Sequence, residues 1–251
     1  MAVVHGGPGA LGEMAPVARE LSQVAGVLEP LQTTTTIQAQ VEELRAILED
    51  DASLPLMLIG FSWGAWLGCI LASFHPELVK KLILVSSGPV DQKYASSIMK
   101  TRLRRLHGAD KKEAASLYHA LGISGPSDNN YCESLCRFSE LISRADSFDL
   151  LPDEGDNVRL DMDIYRTVWN EASSLRSSGR LLEIVQHIKC PIVAIHGDYD
   201  PHPANGVKHP LSRAVTDFRF ILLEKCGHYP WRERNARDTF YRILNAEIQQ
   251  Q

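Results

Sequence analysis

The chain has 251 residues, 44% of them hydrophobic and 23% charged, which suits one large α/β domain or one domain with a sizeable insertion. Its formal charge of −5 argues against a nucleic-acid backbone or an anionic membrane as partner. No apolar run approaches the roughly 20 residues of a membrane span, and five scattered cysteines, an odd number, favour a reduced, cytoplasmic protein.

The first 89 residues alternate between short apolar runs and amphipathic segments. The apolar runs predict strands, and the segments whose apolar residues recur every three or four positions predict helices. Strands are expected at residues 1–4, 26–28, 54–60 and 81–85, and helices at residues 13–24, at 37–48 and directly after Ser62. Short connections of this kind are typical of a mostly parallel sheet that helices cover on both faces.

The pattern changes between residues 90 and 188, where no convincing buried strand occurs. Helices are predicted at residues 94–106, 111–121, 131–144 and 160–176, with turn-rich joints at 125–130 and 151–155. Strands return at residues 191–196 and 218–223, and a closing helix is expected at 232–248. We therefore expect an α/β core of residues 1–89 and 189–251, with residues 90–188 inserted as a helical cap.

A candidate nucleophile stands at the junction of a strand and a helix. The run Gly60-Phe61-Ser62-Trp63-Gly64 fits the G-x-S-x-G elbow, a sharp turn that exposes the serine hydroxyl at the edge of the sheet. Glycine is expected on both sides because a side chain there would crowd the packing of the strand against the helix. Because such a pattern also arises by chance, the prediction depends on the other residues of the site.

A glycine-rich loop, His5-Gly6-Gly7-Pro8-Gly9, follows the first strand. In a parallel sheet this loop lies at the ligand-binding edge, where it can turn a backbone N–H toward a developing negative charge. The candidate oxyanion donors are the N–H of Trp63, next to the nucleophile, and an N–H from Gly6 or Gly7. His5 is expected to brace its loop rather than to react.

A serine nucleophile needs a base, and the base needs an acid that orients it. His228 follows the last predicted strand, and Asp198 and Asp200 follow the strand before it. Both acids are candidates, and the longer spacing from the strand favours Asp200. The order Ser62, Asp200, His228 is the one expected with an elbow serine. Cys226 is expected to be an inert, buried thiol.

Together these residues resemble the α/β-hydrolase fold, and the HGGPG loop with Ser62-Trp63-Gly64 is similar to the prolyl iminopeptidase family. The resemblance implies hydrolysis at a peptide's N-terminus by a triad of Ser62, Asp200 and His228. It also implies a cap glutamate that binds the substrate's free amine. Glu171, close to Trp169, is the nearest match, although a solvated glutamate at a helix end is an equal interpretation.

Three departures from the family pattern leave the substrate open. We expect no opening hairpin before the first strand, the usual loop after the second strand is replaced by Glu29-Pro30-Leu31-Gln32 and four threonines, and the expected cap is short. We therefore keep two substrate classes for a serine hydrolase, N-terminal aminoacyl peptides or amides first and carboxylic esters second.

A hydrolase of this type acts through an acyl-enzyme on a small molecule or short peptide, and needs no metal or organic cofactor. Epoxide and haloalkane hydrolysis are disfavoured because those reactions need an aspartate where the chain has Ser62. A non-catalytic, ligand-binding relative is the alternative from another functional class. The sequence makes no prediction of oligomeric state.

Overall fold

A computed structural model describes residues 1–123, 131–152 and 158–250 of the chain. Its strands are β1 (Ala2–Val4), β2 (Ala10–Leu11), β3 (Leu56–Phe61), β4 (Val79–Val85), β5 (Arg159–Leu160), β6 (Ile192–Gly197) and β7 (Phe218–Leu223). Its helices are α1 (Ala15–Leu21), α2 (Ile37–Asp51), α3 (Trp63–Phe74), α4 (Ile98–Arg105), α5 (Gly108–Ile123), α6 (Tyr131–Asp146), α7 (Met162–Ser177), α8 (Arg180–Val185), α9 (Asn205–Ala214) and α10 (Arg237–Gln249). Two 3-10 helices, Gln92–Ser97 and Pro230–Arg232, precede α4 and α10.

Five strands form one parallel sheet in the order β1-β3-β4-β6-β7. Residues along β3 point alternately to the two faces, and all six are buried because helices cover both. On one face, Leu56 and Leu58 pack in a cluster with residues of α2 and α3. On the other face, Met57 and Ile59 pack with residues of α1 and α10. This architecture confirms the predicted mostly parallel sheet with helices on both faces.

The parallel direction of the strands decides where the site can form. Ser62 follows β3, Asp200 follows β6 and His228 follows β7, so all three come from the carboxyl-terminal edge of one sheet. That edge is the usual ligand-binding edge of an α/β sheet.

The described chain between β4 and β6 consists of helices and the two-residue strand β5. Leu106, which directly follows α4, packs in a small core with Ala114 of α5 and with Leu141 and Ala145 of α6. Strand β5 pairs with β2, which directly follows the glycine-rich loop. The assignment of residues 90–188 to a cap domain stays a prediction. The predicted joint at 125–130, and residues 153–155 of the second joint, lie outside the described residues.

Several predicted elements differ from those observed. Residues 26–28 form no full strand; Leu28 makes a single parallel bridge to Ala2. The closing helix begins at Arg237 rather than at residue 232, because Glu233 leaves the helical path to accept backbone hydrogen bonds. The sequence did not predict α8 or α9, and α9 contains Pro210, a residue that normally interrupts a helix.

Among the residues that the structure describes, no helix is both long enough and apolar enough to cross a bilayer.

Candidate active site

Ser62 occupies the sharp turn between β3 and α3. Its φ of 50° lies in the left-handed region, which a residue other than glycine seldom adopts. The Ser62 N–H donates to the carbonyl oxygen of Val85 over 2.9 Å, which fixes the turn against β4. A Cβ atom at Gly60 would collide with the backbone of Gly64. Glycine at position 60 is therefore a packing requirement, as the sequence predicted.

The glycine-rich loop lies directly beside the start of α3. A Cβ atom at Gly64 would collide with the carbonyl oxygens of Val4 and His5, so the helix can approach the loop only with glycine at this position. The His5 ring contacts its own loop, in line with the predicted bracing role: Nδ1 lies 2.8 Å from the carbonyl oxygen of Gly6. The N–H of Gln32 donates to the other ring nitrogen over 3.4 Å.

Gly6 and Gly7 both stay candidate oxyanion donors of the loop. A Cβ atom at Gly6 would collide with Glu13 Oε2 and with the ring of Phe61, and Gly7 has a φ of 25°, in the left-handed region. The Trp63 N–H is at the first position of α3, where a helix offers no internal acceptor. The indole N–H of Trp63 donates elsewhere, to Gln40 Oε1 over 3.1 Å.

Ser62, His228 and Asp200 form a series in which the imidazole of His228 lies within hydrogen-bonding distance of the other two side chains. Nε2 of His228 is 3.2 Å from Ser62 Oγ, and Nδ1 of His228 is 2.8 Å from Asp200 Oδ2. The competing acid, Asp198, instead accepts the backbone N–H of Cys226 over 3.2 Å. The geometry therefore favours Asp200 over Asp198 as the acid that orients the imidazole.

Charge interactions inside this buried group keep the acid ionised. Burial alone would raise the pKa of Asp200, but His228, His202 and His196 hold that pKa well below its ordinary value. For His228, burial lowers the pKa, while the charge and hydrogen bond of Asp200 outweigh burial and raise it above its ordinary value. A base with a raised pKa is suited to take a proton from a hydroxyl.

Sequence reasoning missed a second histidine on the same acid. His202 Nδ1 and the His202 backbone N–H lie 2.8 and 2.9 Å from Asp200 Oδ1. Ligand-type atoms of Asp200, His202 and His228 lie within 4.8 Å of one another, as in some metal sites. Because the two imidazole contacts to the carboxylate are hydrogen bonds, we interpret the group as hydrogen-bonded rather than metal-binding.

The loop that carries His228 is supported by groups the sequence did not single out. The His228 N–H donates to the carbonyl oxygen of Asp146, and the Asp146 carboxylate pairs bidentately with Arg102 at 2.6 and 2.8 Å. The buried carboxylate of Glu233 accepts the N–H groups of Gly227, Phe148 and Asp149 at 2.9, 2.8 and 2.7 Å. Such contacts between distant segments leave no local pattern in the sequence.

Glu13 lies behind the glycine-rich loop and near the base. Burial raises its pKa to about 7, although the positive charge of His228 and the hydrogen bond from Gly6 act in the opposite direction. Its Oε2 atom is buried without a hydrogen-bond partner among the described residues. Glu13 is therefore a titratable group inside the site.

The structure places Glu171 and Trp169 on α7. Glu171 is exposed, and its Oε2 accepts the N–H of Ile37 over 2.8 Å, at the first position of α2. This bond gives the carboxylate a structural role, and its predicted role as an amine anchor stays a prediction. Trp169 stacks between Trp66 and Tyr165, with ring centroids 6.2 and 6.4 Å apart. Its predicted role in substrate binding also stays a prediction.

Cys226 is fully buried, and burial raises its pKa above the ordinary value, as expected for an inert thiol.

Comparison with known proteins agrees with the fold. The chain is 23% identical over 278 residues to the proline iminopeptidase of Lactobacillus helveticus, an alignment that covers 100% of this chain and 90% of that protein. The crystal structure of the proline iminopeptidase of Mycobacterium smegmatis is similar, with a TM-score of 0.61 and 15% identity over 98% of this chain and 88% of that one. The crystal structure of an enol-lactonase from Burkholderia xenovorans LB400 is also similar, with a TM-score of 0.61 and 17% identity over 99% of this chain and 91% of that chain.

The two structural similarities, below 25% identity, indicate the fold alone. The family assignment rests on a separate match: the model of the alpha/beta hydrolase family covers residues 3–240. This chain therefore belongs to the alpha/beta hydrolase family.

Proposed function

We propose that this protein is a serine hydrolase of small acyl substrates, with carboxylic esters as the first substrate class. The observation that carries the proposal is the series of contacts from Ser62 Oγ to His228 Nε2, at 3.2 Å, and from His228 Nδ1 to Asp200 Oδ2, at 2.8 Å. A hydroxyl, an imidazole and an ionised carboxylate in this order are the groups that acyl transfer to serine requires.

In the proposed reaction, Ser62 Oγ attacks the carbonyl carbon of the substrate while its proton passes to His228 Nε2. Asp200 stabilises the imidazolium that forms. The N–H groups of Trp63 and of Gly6 or Gly7 donate to the carbonyl oxygen as it becomes negative, and each such donor contributes on the order of a hundredfold to turnover. The leaving alcohol takes the proton from His228 and departs, which leaves an acyl-enzyme.

Water completes the cycle by the same route in reverse. His228 takes a proton from the water as it attacks the acyl carbon, and returns that proton to Ser62 as the acid product leaves. Apart from the substrate and this water, every group used in these steps is a side chain or a backbone N–H of the chain.

The state of the carboxylates supports an ester rather than an N-terminal amide. A free amine is best held by an ionised carboxylate without another partner. Of the carboxylates described above, Asp146 pairs with Arg102, Glu233 accepts three backbone N–H groups, and Glu171 accepts the N–H of Ile37. Glu13 has an Oε2 atom without a partner among the described residues, but burial raises its pKa to about 7, so much of this group is neutral at neutral pH and holds an ammonium poorly. This favours esters over aminoacyl amides and reverses the order expected from the sequence.

Hydrolysis of N-terminal aminoacyl amides is the second candidate. It is supported by the glycine-rich HGGPG loop and by the 23% identity to a proline iminopeptidase along the whole chain.

A fluorophosphonate probe, which reacts covalently with activated serines, tests the proposed chemistry. We expect the wild type to be labelled, Ser62→Ala to remain unlabelled, and the control Ser73→Ala, on the same helix, to be labelled normally. The Ser73 hydroxyl donates to the carbonyl oxygen of Ile184 and belongs to a different part of the fold. A wild type that stays unlabelled under conditions that label a known serine hydrolase would contradict the proposal.

Turnover of p-nitrophenyl acetate and of proline and alanine p-nitroanilides separates the two substrate classes. Faster turnover of the ester supports the first class. Faster turnover of the anilides, with a loss in Glu171→Gln confined to those anilides, would establish the second class instead.

A further inference from the structure

The acid of the candidate triad contacts three imidazoles rather than one. Asp200 Oδ2 is 2.8 Å from His228 Nδ1, and Oδ1 is 2.8 Å from His202 Nδ1. His196 Nε2 is farther away, 3.6 Å from Oδ2, and its own hydrogen bond is to the carbonyl oxygen of His202 at 2.8 Å. Each carboxylate oxygen of Asp200 therefore has one histidine ring as its close partner.

The two close histidines differ in charge. The pKa of His202 is lowered to about 4, mainly by burial; the neighbouring His228 and Arg102 act in the same direction, and Asp200 acts against them. The pKa of His228 is instead raised by Asp200, with Asp146 acting in the same direction and Arg102 against it. At neutral pH, His202 is therefore an uncharged ring beside the ring that gains the proton.

A neutral His202 suits this position for an electrostatic reason. The ring centroids of His202 and His228 are 4.6 Å apart, so two imidazolium ions there would repel each other strongly. A neutral ring with its proton on Nδ1 donates to Asp200 Oδ1 without adding a positive charge. The negative charge of the carboxylate then remains available to His228.

We propose that His202 is a positioning residue, whose Nδ1–H donates to Asp200 Oδ1 so that Oδ2 faces His228. The two imidazole donors to Asp200, from His202 and from His228, together set the basicity of His228. The proposal builds on the proposed function. It adds a fourth side chain to the reacting series, acting through Asp200 rather than on the substrate. The backbone N–H of His202, 2.9 Å from the same Oδ1, gives a second fixed donor from the same residue.

Two substitutions separate the donor from the bulk of the side chain. His202→Phe keeps a ring but removes the donor, whereas His202→Asn places an amide N–H close to the position of Nδ1. With one donor lost, Asp200 holds the imidazolium of His228 more strongly. We therefore expect the His228 imidazole in His202→Phe to titrate at a pH higher by about half a unit or more. We expect His202→Asn to titrate as the wild type does.

The titration is measured by NMR of histidine-labelled protein, which requires no turnover. The rate of Ser62 labelling by the fluorophosphonate, followed against pH, is the second readout. In His202→Phe we expect labelling to be about tenfold slower, and the acid limb of its pH–rate profile to move to higher pH. In His202→Asn we expect a labelling rate within about threefold of wild type. His209→Asn, on an exposed position of α9, is the control.

The NMR result decides the role of His202 separately from the proposed function. An unchanged His228 titration in His202→Phe, or an equal shift in His202→Asn, overturns the positioning role whether or not Ser62 reacts. Absence of labelling in the wild type contradicts the serine hydrolase alone. If His202→Phe does not fold, His202→Ala removes the same donor and is held to the same outcomes.

Discussion

The backbone N–H of His228 donates to the carbonyl oxygen of Asp146 over 2.8 Å. Asp146 is the last residue of α6, so the candidate base is tied to the helical segment between β4 and β6 as well as to the sheet. The Asp146 side chain is buried and pairs with Arg102 on α4. Stability of this helical segment and placement of the imidazole should therefore be coupled.

Asp146→Asn tests that coupling. The substitution leaves the Arg102 guanidinium, 17% exposed, without its anionic partner. Since removal of one partner of a buried pair leaves a desolvated charge, the free energy of unfolding should fall by about 3 kcal/mol. The comparison is Asp110→Asn. The partner of Asp110, Arg144, is 57% exposed, so the loss of this ion pair should lower the free energy of unfolding by less than about 1 kcal/mol. Urea unfolding of both variants measures the difference, and equal small losses would show that water screens the Arg102 pair.

Glu233→Gln tests the support of the loop before His228. The carboxylate accepts three backbone N–H groups, whereas an amide offers one oxygen and turns a donor toward the remaining N–H groups. We expect the free energy of unfolding to fall by about 2 to 3 kcal/mol and Ser62 labelling to slow by about tenfold. Glu224→Gln, an exposed position at the start of the same loop, should change neither quantity measurably. Normal labelling in Glu233→Gln would mean that the loop keeps its shape without the carboxylate.

The sequence predicted the parts of the site that obey local rules. Ser62, Asp200 and His228 each follow a recognisable strand, and parallel strands present their carboxyl ends at one edge. The close approach at Gly60 followed from the elbow pattern in the same way. Whether these residues catalyse a reaction is a separate matter, which the labelling experiment addresses.

The supporting groups could not be predicted because they depend on contacts between distant segments. Asp146 and Arg102 are 44 positions apart, and Glu233 binds N–H groups up to 85 positions away. The sequence placed Glu233 at the start of the predicted closing helix, whereas the residue is fully buried and precedes the observed helix. His202 is a different case, because it stands only two residues after Asp200 and this proximity is visible in the sequence. The sequence rules for triads, however, consider only the nucleophile, the base and the acid.

Gly64→Ala tests the contact between α3 and the glycine-rich loop. The added methyl group would collide with the carbonyl oxygens of Val4 and His5, so helix and loop must separate. We expect a loss of about 1 to 3 kcal/mol in the free energy of unfolding and a marked loss of Ser62 labelling. Gly26→Ala is the matched control, because no atom lies within 4 Å of its added methyl group. Its stability should stay within about 0.5 kcal/mol of wild type. Equal behaviour of the two variants would contradict the packing argument.

Glu13→Gln tests a pH dependence of stability that originates in burial. The folded-state pKa of Glu13 is raised from 4.5 to about 7, so the folded protein holds a proton on this group that the unfolded chain has already lost. Stability from this group is therefore present below about pH 4.5 and is lost as the pH rises through 7. Gln is neutral at every pH, and we expect it to raise the free energy of unfolding at pH 8 by on the order of 2 kcal/mol. The advantage should shrink toward zero near pH 4.5, where the remaining difference measures any change in packing. Urea unfolding of both proteins between pH 4.5 and 8.5 gives the comparison, and a difference that does not vary with pH would show that Glu13 titrates alike in the folded and unfolded chain.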